Sequence, residues 1–553
     1  MFYRIKPSFF TTALLSAVLI LATTAIAQQP DFAGHPNEKS MGIYIGNELT
    51  ADGSTLVGGF GHEPSSHWIE IVPSQTFPDG ATMTVGVTEK ARIPGKLTEI
   101  PQAEKTAKYI TSNYSEFAGF PPPLTNGGLN EHGVAARDIW SPSRDELVEI
   151  AKKNTPQTGP NYSDLARAVM ERAKTAREAA ALVGELIDKH GFSTYGGNSH
   201  LFADANEGWI LINYAAKGLW AAKRLGPDEI HVMYPGYIHE FPADFKERDD
   251  YMGSDNLVSF ALEKGWWDGE GSLNLQEVYG KPFPANVEQD FYPQFYADGR
   301  NPPEREAELQ EMAPISVKDL IAYVRDPRWA TDFTGYGQVA HIRQDTPQQL
   351  HTLWTAITSG ITTPFVPIPI AASSVPPEFR QHRYMTKDAS SHFIDPDYGP
   401  LEATRYATRT FKRLLYHTAE HPKDFLHQVT GEIERFEQSL IDQRDKVEAR
   451  AQALMEEGKT KRAQKLLTKD VHENLLASLD LGEQLVRAVE QETKRKYGIR
   501  MPKGEPAEGE TSPPTSQAMA RHGWGAMIYC YDKELDEYPR PHGLYNDAKS
   551  LVY

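Results

Sequence analysis

The pattern of the chain changes abruptly at Ser40, and no fold for this chain can ignore that break. Residues 28–39, QQPDFAGHPNEK, are polar, contain Pro and Gly, and carry no apolar period; they read as a short flexible leader. Met41 to Ile45 is then an apolar run, Asp52-Gly53 is a turn signal, and Ser54 to Val57 resumes strand-like composition. Two such runs around a turn predict a β-hairpin beginning at Ser40. Strand-like runs continue at His67–Val72 and Met83–Val87.

Helical patterns are read from Ser163 onward. Thr175-Ala176-Arg177-Glu178 fits a capping box, Leu182, Val183, Leu186 and Ile187 supply one apolar face, and Gly191 comes next as a stop. Ser199–Ala203 and Trp209–Tyr214 predict paired strands, and His231–Tyr234 a further short one. Residues 240–335, rich in Trp, Tyr, Pro and acidic residues, read as helices and loops, and ordered patterns resume at Gly337–Ile342 and Leu350–Ile357. Residues 420–497 are strongly helical, with Ile433, Phe436 and Leu440 at helix spacing. A Pro/Glu/Ser/Thr-rich linker begins at Met501. Strands, then helices, then strands in one long unit predict an α+β or layered α/β architecture.

The N-terminus predicts export. Arg4 and Lys6 form a positive region, Phe9 to Ile26 is apolar, and Ala25-Ile26-Ala27 offers small residues to a signal peptidase. The division expected is therefore a signal peptide at 1–27, a leader at 28–39, a catalytic domain at 40–420, a helical C-terminal section at 421–498, and a linker and tail at 499–553. The location expected is periplasmic or secreted, with no membrane association once the signal is removed. The formal net charge of −18 argues against nucleic acid as a partner, because phosphate binding needs a basic footprint. Cys530 is the single cysteine, so the chain has no internal disulfide, no Cys-based zinc site and no N-terminal catalytic thiol.

Several familiar chemistries are excluded by spacing. His62-Glu63-Pro64-Ser65-Ser66-His67 places its histidines one residue too far apart for a zincin helix, and Pro64 disrupts a helix there. No G-x-S-x-G elbow occurs in a strand–turn–helix setting, and no G-x-G-x-x-G or P-loop sits at a strand–helix junction. Gly253-Ser254-Asp255-Asn256 reads as a loop and helix N-cap.

Chemistry concentrates at Ser40–Thr55, SMGIYIGNELTADGST. A serine hydroxyl is a weak nucleophile without an adjacent base. Cleavage before Ser40 would free its own α-amine, whose ordinary pKa of about 7.7–8.0 leaves a useful neutral fraction. This stretch resembles the N-terminus of the dipeptidase A and secernin family of N-terminal-nucleophile hydrolases, whose mature chain usually begins with Cys, followed by an apolar strand, a Gly and D-G-S-T. Here these are Gly46 and Asp52-Gly53-Ser54-Thr55, with Ser40 where the cysteine would be. Gly128-Leu129-Asn130-Glu131-His132-Gly133-Val134-Ala135, Asn198-Ser199-His200 and Gly253-Ser254-Asp255-Asn256-Leu257 are similar to later family segments, so the likeness runs over about residues 40–497.

The resemblance implies a four-layer αββα sandwich with the 421–498 section appended. It implies a dipeptidase or related peptidase in which Ser40 attacks a substrate amide through an acyl-enzyme, with its α-amine as base. It requires no metal or organic cofactor; a small peptide or amide is the expected partner, and homo-oligomerisation is left open. Two departures stand out. Gly59 and His62 occupy positions where the family has an arginine and an acid, and Tyr234-Pro235 replaces a S-N pair that carries an amide. Oxyanion donors must then come from backbone N–H groups, Asn198, Asn130 or His62, among which the sequence does not choose. The same departures motivate two alternatives, an amidase acting on acylated amino acids and a non-catalytic exported binding protein.

Overall fold

The computed structural model describes residues 40–62, 67–114, 119–233, 236–281, 302–326, 329–330, 334–380 and 404–498. The expected signal peptide, leader, Tyr234-Pro235 pair and C-terminal tail lie outside these residues.

The described residues form a mixed α+β structure with two large antiparallel sheets. The six-stranded sheet contains β1 (Met41–Ile45), β2 (Thr55–His62), β12 (Ile230–Met233), β14 (Thr334–Ile342), β15 (Thr352–Ala356) and β16 (Val366–Pro369), in the order β12-β1-β2-β14-β15-β16. The eight-stranded sheet contains β3 (His67–Val72), β6 (Tyr109–Tyr114), β7 (Leu124–Asn130), β8 (Ala135–Trp140), β9 (Asn198–Ala203), β10 (Gly208–Asn213), β11 (Trp220–Leu225) and β13 (Tyr251–Gly253). A separate ribbon pairs β4 (Thr82–Val85) with β5 (Thr98–Pro101). The helices are α1 (Asp145–Lys153), α2 (Tyr162–Arg172), α3 (Ala176–His190), α4 (Leu257–Lys264), α5 (Leu275–Tyr279), α6 (Pro302–Met312), α7 (Val317–Val324), α8 (Pro377–Arg380), α9 (Ala407–Glu420), α10 (Pro422–Glu456) and α11 (Thr460–Tyr497).

The two sheets pack face to face through small and aliphatic side chains. A Cβ on Gly42 of β1 would lie 2.7 Å from Ile139 Cδ1 of β8, and one on Gly208 of β10 would lie 2.7 Å from the Tyr44 ring of β1. Every residue of β1 is buried, which explains its unbroken apolar run. On its far side the eight-stranded sheet carries α2 and α3, where Leu165, Val169, Val183 and Ile187 join Phe202 and Trp209 in one core. The far side of the six-stranded sheet receives α7, whose Leu320 lies 2.9 Å from where a Gly58 Cβ would be.

The long helices α10 and α11 also pack against the body. Leu440, Val471, Leu475 and Leu479 belong to the main core, and the Glu437 carboxylate accepts the Phe365 N–H at 2.7 Å while pairing with buried Arg325. The section expected as an appendage thus shares the core of the sheets. Among the described residues no helix is long and apolar enough to cross a membrane.

The hairpin expected at Ser40 is present, with Met41 opposite Phe60 and Ile45 opposite Leu56. Thr175 caps α3 by accepting the Glu178 N–H at 3.0 Å, and Gly191 ends it at φ +82°. The Glu178 carboxylate reaches back to the Lys174 N–H rather than to Thr175, one residue outside a reciprocal box. Asn256 is the N-cap residue of α4, but its side chain donates to Lys217 O instead. Helix α1 precedes the expected start of helical structure at Ser163. It buries only Leu147 and Ala151, a stripe too thin to stand out in sequence.

Candidate active site

Ser40 sits immediately before β1 and is partly exposed, whereas the strand it leads into is fully buried. Side chains alternate along a strand. Gly42 and Tyr44 face the eight-stranded sheet, and the same alternation, continued one position beyond the strand, would turn Ser40 to that side. This is the arrangement a nucleophile needs: a fixed backbone below it and solvent access beside it.

The D-G-S-T motif holds the hairpin that presents Ser40. Asp52 Oδ1 accepts from Ser54 N at 3.2 Å and from Ser54 Oγ at 2.5 Å, closing the turn, and Asp52 Oδ2 meets His341 Nε2 at 2.6 Å. Burial pushes the Asp52 carboxyl up, but its hydrogen bonds to His341 and Ser54 and the attraction of His341 outweigh that and hold it well below the usual carboxylate range. Burial pushes the His341 imidazole down, against the opposing pull of the Asp52 carboxylate that its Nε2 meets. The motif ties β1–β2 to β14 and does not itself reach the chemistry.

Gly59 lies opposite Gly42 in the hairpin, at φ +140°. A Cβ there would sit 1.9 Å from Met41 O, so no side chain, and no arginine, fits at this position without moving β1. A guanidinium nevertheless arrives from the other sheet. Arg137 of β8 is 2% exposed; its Nη2 approaches Met41 O at 3.5 Å, its Nη1 donates to Gln338 Oε1 at 3.1 Å, and its Cζ stands 5.1 Å from the Tyr336 ring centroid. Gln338 is opposite Gly59 in β14 and passes the network on, donating to Ser112 Oγ at 3.1 Å. Nearby, Ser141 Oγ and Ser199 Oγ lie 2.6 Å apart, and the Gly236 N–H donates to Ser141 Oγ at 3.1 Å.

The amides named from sequence do not join this cluster. Asn130 Nδ2 donates to Ala173 O at 2.8 Å and Met170 O at 3.3 Å, and its Oδ1 accepts from His132 N and Val134 N, both at 3.0 Å. All of its hydrogen-bonding capacity joins the β7–β8 turn to the end of α2, on the helix-facing side of its sheet. Asn198 likewise faces the helices: its Nδ2 donates to Asp138 Oδ1 at 3.0 Å and Tyr195 Oη at 3.3 Å. Both expectations as oxyanion donors are corrected by the alternation of their strands. His62 closes β2 opposite Thr334, and its side chain lies outside the described residues.

His200, next to Asp138 with Nδ1 at 3.7 Å from Oδ1, also faces the helices; burial pushes its imidazole down to about 3, leaving it neutral. Arg137, Ser141 and Ser199 were not singled out by their sequence context. The available signal was an adjacent pair of charged residues, Arg137 and Asp138, inside an otherwise apolar strand, Ala135-Ala136-Arg137-Asp138-Ile139-Trp140. No group of three His, Cys, Asp or Glu side chains among the described residues is arranged to hold a metal ion.

Comparison with known proteins agrees with the motif reading. Residues 43–291 match the sequence model of peptidase family C69. The match begins three positions after Ser40, so the residue offered as nucleophile precedes it. The chain is 23% identical over 257 residues to a probable dipeptidase B of Streptococcus pyogenes serotype M3, covering 45% of this chain and 48% of that protein. It is 22% identical over 243 residues to a probable dipeptidase of Latilactobacillus sakei, covering 43% and 48%. The chain spans about half the length of the curated relatives it matches. The likeness to the dipeptidase A and secernin family rests on the C69 match together with these two relatives.

Proposed function

From the C69 match over residues 43–291, we propose that this chain is a peptide-bond hydrolase acting on dipeptides or other short peptides, with Ser40 as its N-terminal nucleophile. One observation supports the nucleophile above the rest: Ser40 is partly exposed at the head of a fully buried strand, and continuing the strand's alternation from Gly42 would turn it toward the space between the sheets.

In this reading residues 1–39 are lost in two steps, an export signal and then the leader, in a periplasmic or secreted protein. The free α-amine of Ser40 takes the hydroxyl proton as Oγ attacks the substrate carbonyl. The carbonyl π pair moves to oxygen, forming a tetrahedral oxyanion. When this collapses, the C–N bond breaks, the leaving amine takes the proton and an acyl-enzyme remains. Water, activated by the same amine, releases the acid. In this reading the oxyanion takes hydrogen bonds from backbone N–H groups and from hydroxyls such as the Ser141–Ser199 pair.

The contacts of α2 and α3 on one sheet and of α7, α10 and α11 on the other support a four-layer αββα sandwich, of which 421–498 forms part of one outer layer. The test is a panel of dipeptides and N-acyl amino acids assayed with wild type, Ser40→Ala and Ser40→Cys, each beginning at residue 40. Dipeptide turnover abolished in Ser40→Ala and retained in Ser40→Cys is the expected result. Turnover of acyl amino acids alone redirects the substrate class to non-peptide amides, and dipeptide turnover that persists in Ser40→Ala removes Ser40 from the mechanism.

A further inference from the structure

Arg137 is a cation buried among neutral groups. Its described partners are a carboxamide oxygen, a backbone carbonyl and an aromatic ring, and no carboxylate is paired with it among the described residues. Its Nε, also buried, has no hydrogen-bond partner among them. Desolvating a charge without an opposite charge is costly, and folded proteins seldom keep one unless it performs a task. The contrast within the chain is direct: buried Arg325 pairs with Glu437, and partly buried Arg444 pairs with Glu448.

The place of this cation is as informative as its isolation. Its side chain leaves β8 toward the six-stranded sheet and ends at the carbonyl of Met41, the residue after Ser40. It stands beside Gly59, the position where the resemblance expects an arginine and where the backbone of β1 leaves no room for one. Among the described residues, Arg137 therefore brings a full positive charge to the Ser40 end of the inter-sheet layer, screened poorly because the guanidinium is out of water.

We propose that Arg137 supplies, from the opposite sheet, the positive field that stabilises the oxyanion formed when Ser40 attacks, replacing a cation that β2 has no room to carry. The inference rests on the proposed reaction at Ser40. As the Oγ–C bond forms and the carbonyl electron pair moves to oxygen, negative charge develops close to a fixed guanidinium, whose favourable interaction grows only in the transition state. Such an interaction raises kcat and leaves substrate affinity nearly unchanged. Gln338, held by Ser112, keeps the guanidinium oriented and acts as a positioning residue.

The test compares Arg137→Gln, Arg137→Met and Arg137→Lys in the mature chain, on the peptide that wild type turns over best. Arg137→Gln and Arg137→Met are expected to lower kcat by at least about tenfold with KM within about twofold of wild type, while Arg137→Lys keeps most of the rate. Thermal unfolding separates this from a structural role. Removing an unpaired buried charge leaves the midpoint of Arg137→Gln equal to or above that of wild type, whereas a structural strut would lower it. An unchanged kcat in Arg137→Gln overturns the inference, and so does a loss of rate that tracks a lowered midpoint. A wild type without peptide turnover, or turnover that survives Ser40→Ala, marks failure of the underlying reaction instead.

Discussion

Asn130 offers a sharp test of how the site is built, because the structure makes it a strut rather than a catalytic donor. Its amide makes four hydrogen bonds, two donated to Met170 O and Ala173 O and two accepted from His132 N and Val134 N, and the residue is fully buried. Asn130→Ala removes all four together. Leaving a buried polar group unpaired costs about 1–3 kcal/mol. Entering water and relaxation of the turn satisfy part of the set, so the expected loss is about 3–5 kcal/mol, a large share of an ordinary domain's stability. Asn130→Asp retains the two acceptor bonds but turns a buried carboxylate oxygen toward the Met170 and Ala173 carbonyls in place of a donor, so a loss at least as large is expected. The assay is urea unfolding followed by circular dichroism, with kcat/KM on the preferred dipeptide corrected for the folded fraction. A large fall in midpoint with kcat/KM per folded molecule within about twofold of wild type is the expected result. A wild-type midpoint combined with a large loss of kcat would overturn the strut assignment and return Asn130 to the chemistry.

Other consequences are equally checkable. Placing an arginine at Gly59 does not restore the family pattern: Gly59→Arg puts a Cβ 1.9 Å from Met41 O, and the expected outcome is a protein unfolding at lower temperature with no gain in rate. Glu437→Ala leaves buried Arg325 without its partner and the Phe365 N–H unsatisfied, costing about 3–5 kcal/mol in urea unfolding, while Arg325→Met with Glu437→Leu recovers most of it. The Asp52 carboxyl is depressed in the folded chain, so its contribution is fully present above the ordinary Asp pKa of about 3.9 and is lost as pH falls through the lower folded value. Asp52→Asn should therefore flatten the acid limb of a stability–pH curve below about pH 4; an identical limb in both proteins contradicts the role given to the turn.

Much of the fold is legible wherever one local signal dominates. The β1–β2 hairpin announces itself by its apolar run and Asp52-Gly53 turn, β3 begins and ends at His67 and Val72 as read, and α3 carries its cap and stop residues. What escapes is set by tertiary context. Strand β7, Leu-Thr-Asn-Gly-Gly-Leu-Asn, has poor strand formers and is fully buried because its neighbours enclose it on both sides. The candidate site divides in the same way. Ser40 stands at the head of β1 where the change of pattern put it, with its chemistry a proposal, and the D-G-S-T motif is legible because it is local. Which face of a strand an amide occupies depends on pairing register, a non-local property. Asn130 and Asn198 therefore looked equivalent to inward-facing donors, while Arg137, which reaches Met41 from the opposite sheet, did not register at all.

The working nucleophile is held to be a chain terminus, and every catalytic step above depends on that. Intact mass and N-terminal sequencing of catalytically active protein recovered after export, before and after brief exposure to substrate, read it directly. A chain beginning at Ser40, with a transient acyl mass increase localised to that residue, is the result expected. Fully active protein that begins upstream, with Ser40 still in an internal peptide bond and no acyl adduct on it, rules the terminus out as nucleophile.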